Sequence, residues 1–135
     1  MSDKMTNRNK FLVVFLALVA PALSESCDND SMRLCSTSIE PGIEVVVRDA
    51  STHQSIAEGS TGYVRDGAYA DTLQPYGMSS SGVLGSFRAA DERPGSYEVV
   101  VQHEGYREWR KTDVPVYPGE CHVSTTHVVA LMDSL

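Results

Sequence analysis

Polar and apolar residues alternate along this chain in short runs that are typical of β-strands. Residues 43–48 read IEVVVR, so Ile43, Val45 and Val47 fall on one face and the residues between them fall on the other. The same period of two recurs in SYEVVVQH (96–103), the clearest run in the sequence. Both runs predict strands that turn one face toward a core.

Turn residues separate seven such segments, and no amphipathic helix pattern stands out. Asp66-Gly67 is a dipeptide common in tight turns, and ERPG (92–95) combines a proline with a glycine that tolerates positive φ. The sequence therefore predicts an all-β fold, an antiparallel β-sandwich of about seven strands. The seven segments are residues 43–48, 61–67, 68–75, 83–90, 96–103, 106–117 and 121–132.

The first 26 residues have the layout of a secretory signal peptide. Three cations in MSDKMTNRNK precede FLVVFLALVAPAL (11–23), a run of uncharged and mostly apolar residues. A transmembrane helix needs about 20 apolar residues, and Pro21 interrupts this shorter run. We therefore expect the protein to be exported.

The cysteine count bears on how the signal ends. Small residues around Ala22 suit ordinary signal peptidase, whereas LSESC (23–27) resembles the bacterial lipobox, whose cysteine is acylated and becomes the mature N-terminus. An exported chain with three cysteines leaves one unpaired. If Cys27 carries lipid, Cys35 and Cys121 remain as a disulfide pair. The sequence leaves both cleavage sites open, and we expect the one that precedes a lipidated Cys27.

The charge balance limits the partners. The chain carries 11 Lys and Arg against 18 Asp and Glu, a formal net charge of −7. Nucleic-acid binding depends on clustered cations, and attraction to anionic lipid headgroups depends on them as well. We therefore expect no nucleic-acid partner, and membrane attachment only through the lipid on Cys27.

The stretch CHVSTTHV raises the question of a metal site. Alternate residues of a strand share a face, so His122 and His127 point in opposite directions and cannot bind one ion. Cys121, Val123 and Leu131 share the parity of His127, and we take this parity as the core face. The sequence thus predicts an inward Cys121, a buried and hydrogen-bonded His127, and no metal or other cofactor.

The sequence contains no motif of a known catalytic site, but it offers one candidate ligand-binding surface around its tryptophan. GMSSSG (77–82) is not a Gly-x-Ser-x-Gly nucleophile elbow, and Asp91-Glu92 beside the proline turn are predicted to be solvated charges. We expect no enzyme activity. The only tryptophan could form an aromatic and cationic surface suited to a sugar or peptide, unless its aromatic neighbours pack in the core. The residues of this candidate surface are Tyr106, Trp109, Arg110 and Tyr117.

Four segments together resemble a known domain family, the carboxypeptidase regulatory-like (transthyretin-like, prealbumin-like) domain, in its small bacterial lipoprotein form. The strongest likeness is Gly95-x-Tyr97-x-Val99-x-Val101 followed by Gly105-Tyr106. The resemblance covers roughly residues 40–132. The segments are PGIEVVVRDASTHQSIA (41–57), YVRDGAYADTL (63–73), ERPGSYEVVVQHEGYREW (92–109) and CHVSTTHVVALM (121–132).

This resemblance implies a Greek-key sandwich in which Tyr97 anchors a core strand and Gly105-Tyr106 turns the chain back. One departure is visible, because the family often has Asp-x-x-Thr-Gly where this chain has Thr52-His53. Histidine adopts left-handed dihedrals more readily than bulkier residues do, so we expect the turn to survive. The resemblance brings no catalytic residues with it.

These features predict three parts: a signal peptide over 1–26, a polar tether over 27–39 and the β-sandwich domain over 40–135. The expected function is that of an exported, lipid-anchored, non-catalytic module for binding or assembly at the bacterial cell envelope, with an envelope protein or a glycan as partner. If Cys27 is not acylated, the protein is periplasmic or secreted. The alternative is a carbohydrate-recognising or hydrolase accessory domain that uses the surface around Trp109.

Overall fold

The computed structural model describes residues 34–135, and this part of the chain is all-β. The predicted signal peptide and the first part of the predicted tether lie outside the described residues. Within 34–135 there is no helix with the length and apolar character needed to span a membrane. The strands are β1 (Ile43–Asp49), β2 (Thr61–Asp66), β3 (Tyr69–Thr72), β4 (Gln74–Pro75), β5 (Phe87–Ala89), β6 (Gly95–Gln102), β7 (Trp109–Pro118), β8 (Val123–Ser124) and β9 (Thr126–Met132).

The strands form two sheets. One has the order β4-β5-β1-β9 and the other the order β3-β2-β6-β7-β8. β1 pairs antiparallel with β5 but parallel with β9, so the predicted antiparallel arrangement is wrong for this one pair of strands. β6 pairs antiparallel with both β2 and β7. The two runs that alternate most clearly in the sequence are therefore interior strands, one in each sheet.

A single hydrophobic core is shared by both sheets. The period-two prediction is confirmed for β1, whose alternate residues are buried. In β6, Tyr97, Val99 and Val101 are buried as predicted, but Val100 on the opposite face is buried as well. Tyr97 is fully buried, and its hydroxyl donates to the carbonyl of Arg93 at 2.9 Å, so the core holds this polar atom without leaving it unpaired. The strands supply Ile43, Val45, Val47, Val64, Phe87, Ala89, Tyr97, Val99, Val101, Val114, Val116, Val128, Ala130 and Met132 to this core.

Each of the seven predicted segments contains a strand, and two of them divide because the chain changes sheets within them. β3 pairs with β2 but β4 pairs with β5, and the crossing residue Leu73 is buried with its N–H donating to the carbonyl of Gly62 at 3.0 Å. Similarly, β8 pairs with β7 but β9 pairs with β1. There the crossing residue is Thr125, whose hydroxyl donates to the carbonyl of Pro41 at 2.7 Å.

The predicted core face of the last strand is wrong. Val128, Ala130 and Met132 are buried, whereas Val129 is 53% exposed and Leu131 is 41% exposed. The prediction carried one alternation from residue 121 to 132 as if this were one strand. The crossing between sheets resets the alternation, so the parity before it says nothing about the parity after it.

The same reset overturns the prediction of a buried His127. Its side chain is 73% exposed on the outer face, with Nδ1 3.1 Å from Oε2 of Glu44 on the neighbouring strand. Cys121 also lies in an exposed loop before β8 instead of pointing inward from a strand.

A β-bulge sets which face of β7 points inward. Val101 pairs with Trp109 before the bulge, and Tyr97 pairs with Val114 after it. Asp113 takes up the extra residue with φ of 56°. The bulge changes the parity of the strand, so that Trp109 and Val114 both lie on the core side.

The crossing at Leu73 generates a stability prediction. A Cβ added at Gly62 would lie 2.2 Å from the carbonyl oxygen of Val100 and 2.8 Å from Cδ1 of Leu73, whereas one added at Gly85 would meet nothing closer than 3.4 Å. We expect Gly62→Ala to lower the free energy of unfolding by about 1–3 kcal/mol, and Gly85→Ala to change it by less than about 1 kcal/mol. Urea unfolding measures both, and equal effects would contradict the tight packing assigned to this crossing.

Candidate functional site

The strand directions give the domain two ends. The first residue of β1 pairs with the last residue of β5 and the first residue of β9, whereas Asp49 at the other end of β1 pairs with Met132. We call the end at which β1 begins the tether end and the opposite one the distal end. The arm (residues 34–42), the turn 90–94 and the segment 119–125, which includes β8, lie at the tether end. The loops 50–60, 76–86 and 103–108 lie at the distal end.

A disulfide joins the arm to the tether end. The predicted Cys35–Cys121 bond is present, and the two Cα atoms are 5.3 Å apart, inside the usual range of about 4.4–6.8 Å. The pairing is confirmed, although the inward orientation of Cys121 that supported it is wrong. Cys27 lies outside the described residues, so its lipidation stays a prediction.

Glu92 fastens three pieces of the tether end to one another. Its carboxylate accepts the backbone N–H of Glu40 at 2.8 Å and that of Val123 at 3.4 Å, and Oε1 lies 2.6 Å from Nδ1 of His122. The amide of Glu40 first, and His122 after it, lower the pKa of this carboxyl below its ordinary value. Glu92 is therefore a bonded junction, where the sequence predicts only a solvated charge.

Tyr106 performs the corresponding task at the distal end. Its hydroxyl donates to Oδ2 of Asp49 at 2.9 Å, while Oδ1 of the same carboxylate accepts the N–H groups of Ser51 and Thr52. The hydrogen bond from the backbone N–H of Thr52, and after it the bond from the Tyr106 hydroxyl, lower the pKa of Asp49. The left-handed turn expected at this point is confirmed, because His53 has φ of 58°.

The candidate aromatic and cationic residues lie in different places. Trp109 is half-buried against the core at the distal end of β7, and Arg110 points to the opposite face because adjacent strand residues alternate. Tyr117 is 64% exposed near the tether end of the same strand. Together with the bonded hydroxyl of Tyr106, these positions do not make one continuous surface of all four residues. A ligand surface around Trp109 stays a prediction.

Arg110 belongs to a charge network on the outer face of the five-stranded sheet. Its guanidinium donates to Glu98 and, at 2.8 Å, to Oε1 of Glu108. Glu98 also accepts from Arg65 at 2.6 Å, and Gln102 donates to Glu108 at 2.7 Å. Arg110 and then Arg65 lower the pKa of Glu98. The cation that the ligand surface would need is thus already paired with two carboxylates.

The loop 76–84 at the distal end exposes apolar side chains. Met78 is 63% exposed, and Tyr76 and Val83 are each 45% exposed. The loop is held together internally, because the N–H of Ser79 donates to the carbonyl of Val83 at 2.8 Å. A contiguous exposed apolar patch is a common mark of a contact surface, although Ile39 and Tyr117 near the tether end are exposed to a similar degree. The sequence predicts a Gly/Ser loop here but not this display, since a loop pattern does not reveal which side chains stay outside.

No group of three or more His, Cys, Asp or Glu side chains in residues 34–135 is placed to hold a metal ion. His53 is exposed and His103 half-buried at the distal end, while His122 and His127 each contact one glutamate. No protein-family model matches the chain, and no curated protein matches it. A proposal about function therefore depends on the geometry of the two ends.

The disulfide generates the prediction for this site. Removing it with Cys35→Ser and Cys121→Ser frees a loop of 86 residues in the unfolded chain, which the chain-entropy relation equates to about 4–5 kcal/mol. We expect the Tm to fall by roughly 20 °C for a domain of this size, as measured by thermal melting followed by circular dichroism. Cys27→Ser is the matched control and leaves the Tm unchanged, as does adding a chelator. A fall of only a few degrees would show that the bond does not restrain the unfolded chain.

Proposed function

We propose that the chain is an exported, non-catalytic module that a lipid on Cys27 anchors in the bacterial cell envelope and that binds an envelope partner, a protein or a glycan, through its distal end. The observation that carries this proposal is the separation of the two ends. The arm is bonded to one end by a disulfide and by Glu92, and the exposed apolar loop 76–84 lies at the other. A tethered binding module needs this arrangement, since the anchored end faces the membrane.

The reach of the tether supports this orientation. Eight residue steps separate Cys27 from Cys35, and a fully extended chain covers at most about 3.6 Å per residue. A lipid on Cys27 would therefore keep the tether end within about 30 Å of the membrane surface. The seven residues of β1, at about 3.3 Å each, set the distal end roughly another 20 Å away.

We also infer that the two sheets form a Greek-key β-sandwich of the carboxypeptidase regulatory-like (transthyretin-like) kind. Three features support it: the core shared by two sheets, the buried Tyr97 on the central strand β6, and the turn at Gly105-Tyr106, where Gly105 has φ of 81°. The carbohydrate-recognising alternative has less support, because the hydroxyl of Tyr106 and the guanidinium of Arg110 are both already bonded.

Lipidation is the first test of this proposal. We expect intact-mass analysis of the protein purified from membranes to show a diacylglycerol group on an N-terminal Cys27, because acylation makes that cysteine the mature N-terminus. Cys27→Ser should release the protein from the membrane fraction, while Cys35→Ser should not. An unmodified N-terminus at Leu23 or Glu25 would contradict the anchor.

The distal contact is the second test. We expect chemical crosslinking in intact cells, followed by purification and mass spectrometry, to capture a partner that the double variant Tyr76→Ser with Met78→Ser loses. The matched control is Tyr117→Ser, which removes a more exposed tyrosine near the tether end and should retain the partner. All variants should keep the wild-type Tm. If only the Tyr117→Ser control loses the partner, the contact lies near the tether end and the proposed distal contact is wrong.

A further inference from the structure

Exposed apolar side chains lie at the tether end as well as at the distal end. Leu34 is 92% exposed, Ile39 is 61% exposed and Tyr117 is 64% exposed. We call these three residues the tether surface. Two of them are aliphatic, so their exposure leaves apolar area in water with no polar contact in return.

The ends of the tether surface belong to neighbouring segments of the fold. Leu34 directly precedes Cys35, whose Cα lies 5.3 Å from that of Cys121. Tyr117 stands four residues before Cys121 in the chain and one residue beyond Val116, where the pairing of β7 with β6 ends. Tyr117 therefore lies on the rim of the tether end, close to the disulfide that holds Leu34.

The third member, Ile39, is carried by a part of the arm that is bonded on both sides of it. Before Ile39, Ser36 Oγ lies 2.9 Å from Nε2 of His122. After it, Glu40 and Glu92 bond each other through both backbone N–H groups, at 2.8 Å and 3.0 Å. Because the arm is already ordered, a contact made through Ile39 costs little additional conformational entropy.

The length of the tether limits what can cover this surface. Seven residue steps separate Cys27 from Leu34, and an extended chain spans at most about 3.6 Å per residue, so a lipid on Cys27 holds Leu34 within about 25 Å of the membrane. A globular partner of about 100 residues has a radius of gyration of about 13 Å and is wider than this gap. The membrane itself is therefore the favoured occupant.

We propose that the tether surface contacts the lipid bilayer, with the side chains of Leu34 and Ile39 and the ring of Tyr117 in its interfacial layer. This inference rests on the proposed lipid anchor at Cys27. The lipid keeps the protein on the membrane, whereas three side chains bury too little apolar area to do so alone. The contact sets the orientation of the domain and turns the loop 76–84 away from the bilayer.

The chemistry of the three side chains suits the interface between a membrane and water. Tyrosine is enriched there because its ring is apolar and its hydroxyl is polar, and the two aliphatic side chains lose contact with water. The formal net charge of −7 gives the chain no attraction to anionic headgroups. The contact is therefore apolar, and zwitterionic headgroups favour it over anionic ones.

Paramagnetic broadening of amide NMR signals tests the contact in the lipidated wild-type protein. The protein is placed in phosphatidylcholine nanodiscs that contain a lipid with a nitroxide on its headgroup. We expect the signals of residues 34–40 and 117–123 to broaden most and those of residues 76–84 to broaden least. Strongest broadening over residues 76–84 would overturn the proposed orientation.

Two matched variants separate contact from mere proximity to the anchor, because each replaces three exposed apolar side chains by serine at one end of the domain. The tether-end variant should lower the ratio of contacting to free domain about tenfold, an effect that needs only about 60 Å² less buried apolar area. The distal variant should keep the wild-type broadening, and both should keep the wild-type Tm. The variants are Leu34→Ser with Ile39→Ser and Tyr117→Ser, and Tyr76→Ser with Met78→Ser and Val83→Ser.

The outcomes distinguish this inference from the proposed function. Equal broadening in the wild type and the tether-end variant would overturn the contact and leave the lipid anchor intact, whereas a Cys27 without lipid would overturn both. Replacing half of the phosphatidylcholine by phosphatidylglycerol should weaken the contact, and added salt should not. A contact that anionic lipid strengthens and salt abolishes would be electrostatic, and crosslinking of a protein that only the tether-end variant loses would assign the surface to that protein. Either result would overturn the inference.

Discussion

Where a chain leaves one sheet for another, the backbone N–H and carbonyl groups still need hydrogen-bond partners. In this domain the fold depends on how those partners are supplied at residues 125–126. The hydroxyl of Thr125 donates to the carbonyl of Pro41, the N–H of Thr126 donates to the carbonyl of Gly42, and its hydroxyl donates to the carbonyl of Pro115. Two threonines thereby join the start of β1 to the end of β7. Without this crossing β9 could not pair with β1, and the core would lose Val128, Ala130 and Met132.

The same crossing explains what the sequence could predict and what it could not. Alternation within β1 or β6 is a local property, since each strand stays in one sheet, and the sequence correctly predicts the core face of both, although it does not predict that Val100 on the other face of β6 is buried too. Alternation from Cys121 to Met132 spans a change of sheet, which depends on partners distant in sequence. The predicted burial of His127 was wrong for that reason. The Cys35–Cys121 bond was predicted correctly because assigning lipid to Cys27 leaves only these two of the three cysteines to pair, although the inward face predicted for Cys121 was wrong.

The two junctions at the ends show the same limit. His122 and Glu92 are 30 residues apart, and Ser36 is 86 residues from His122, so no spacing rule connects them. What brings Ser36 beside His122 is the disulfide, because each residue directly follows one of its two cysteines. At the distal end, the Gly105-Tyr106 pair signals a turn, but the contact of Tyr106 with Asp49 requires the folded register. Sequence patterns locate such residues without identifying their partners.

The arm is thus held by two fastenings that act on different states of the chain. The disulfide stabilises mainly by restricting the unfolded chain, and it is indifferent to protons as long as it stays oxidised. The second fastening is a set of hydrogen bonds: Glu40 and Glu92 bond each other through both backbone N–H groups, and the N–H of Gly42 donates to the carbonyl of Ala90. Exposed polar and charged contacts add little to global stability, so these bonds act on the local order of the folded protein. The disulfide therefore contributes to global stability, while the local order of the arm between Cys35 and β1 depends on these hydrogen bonds.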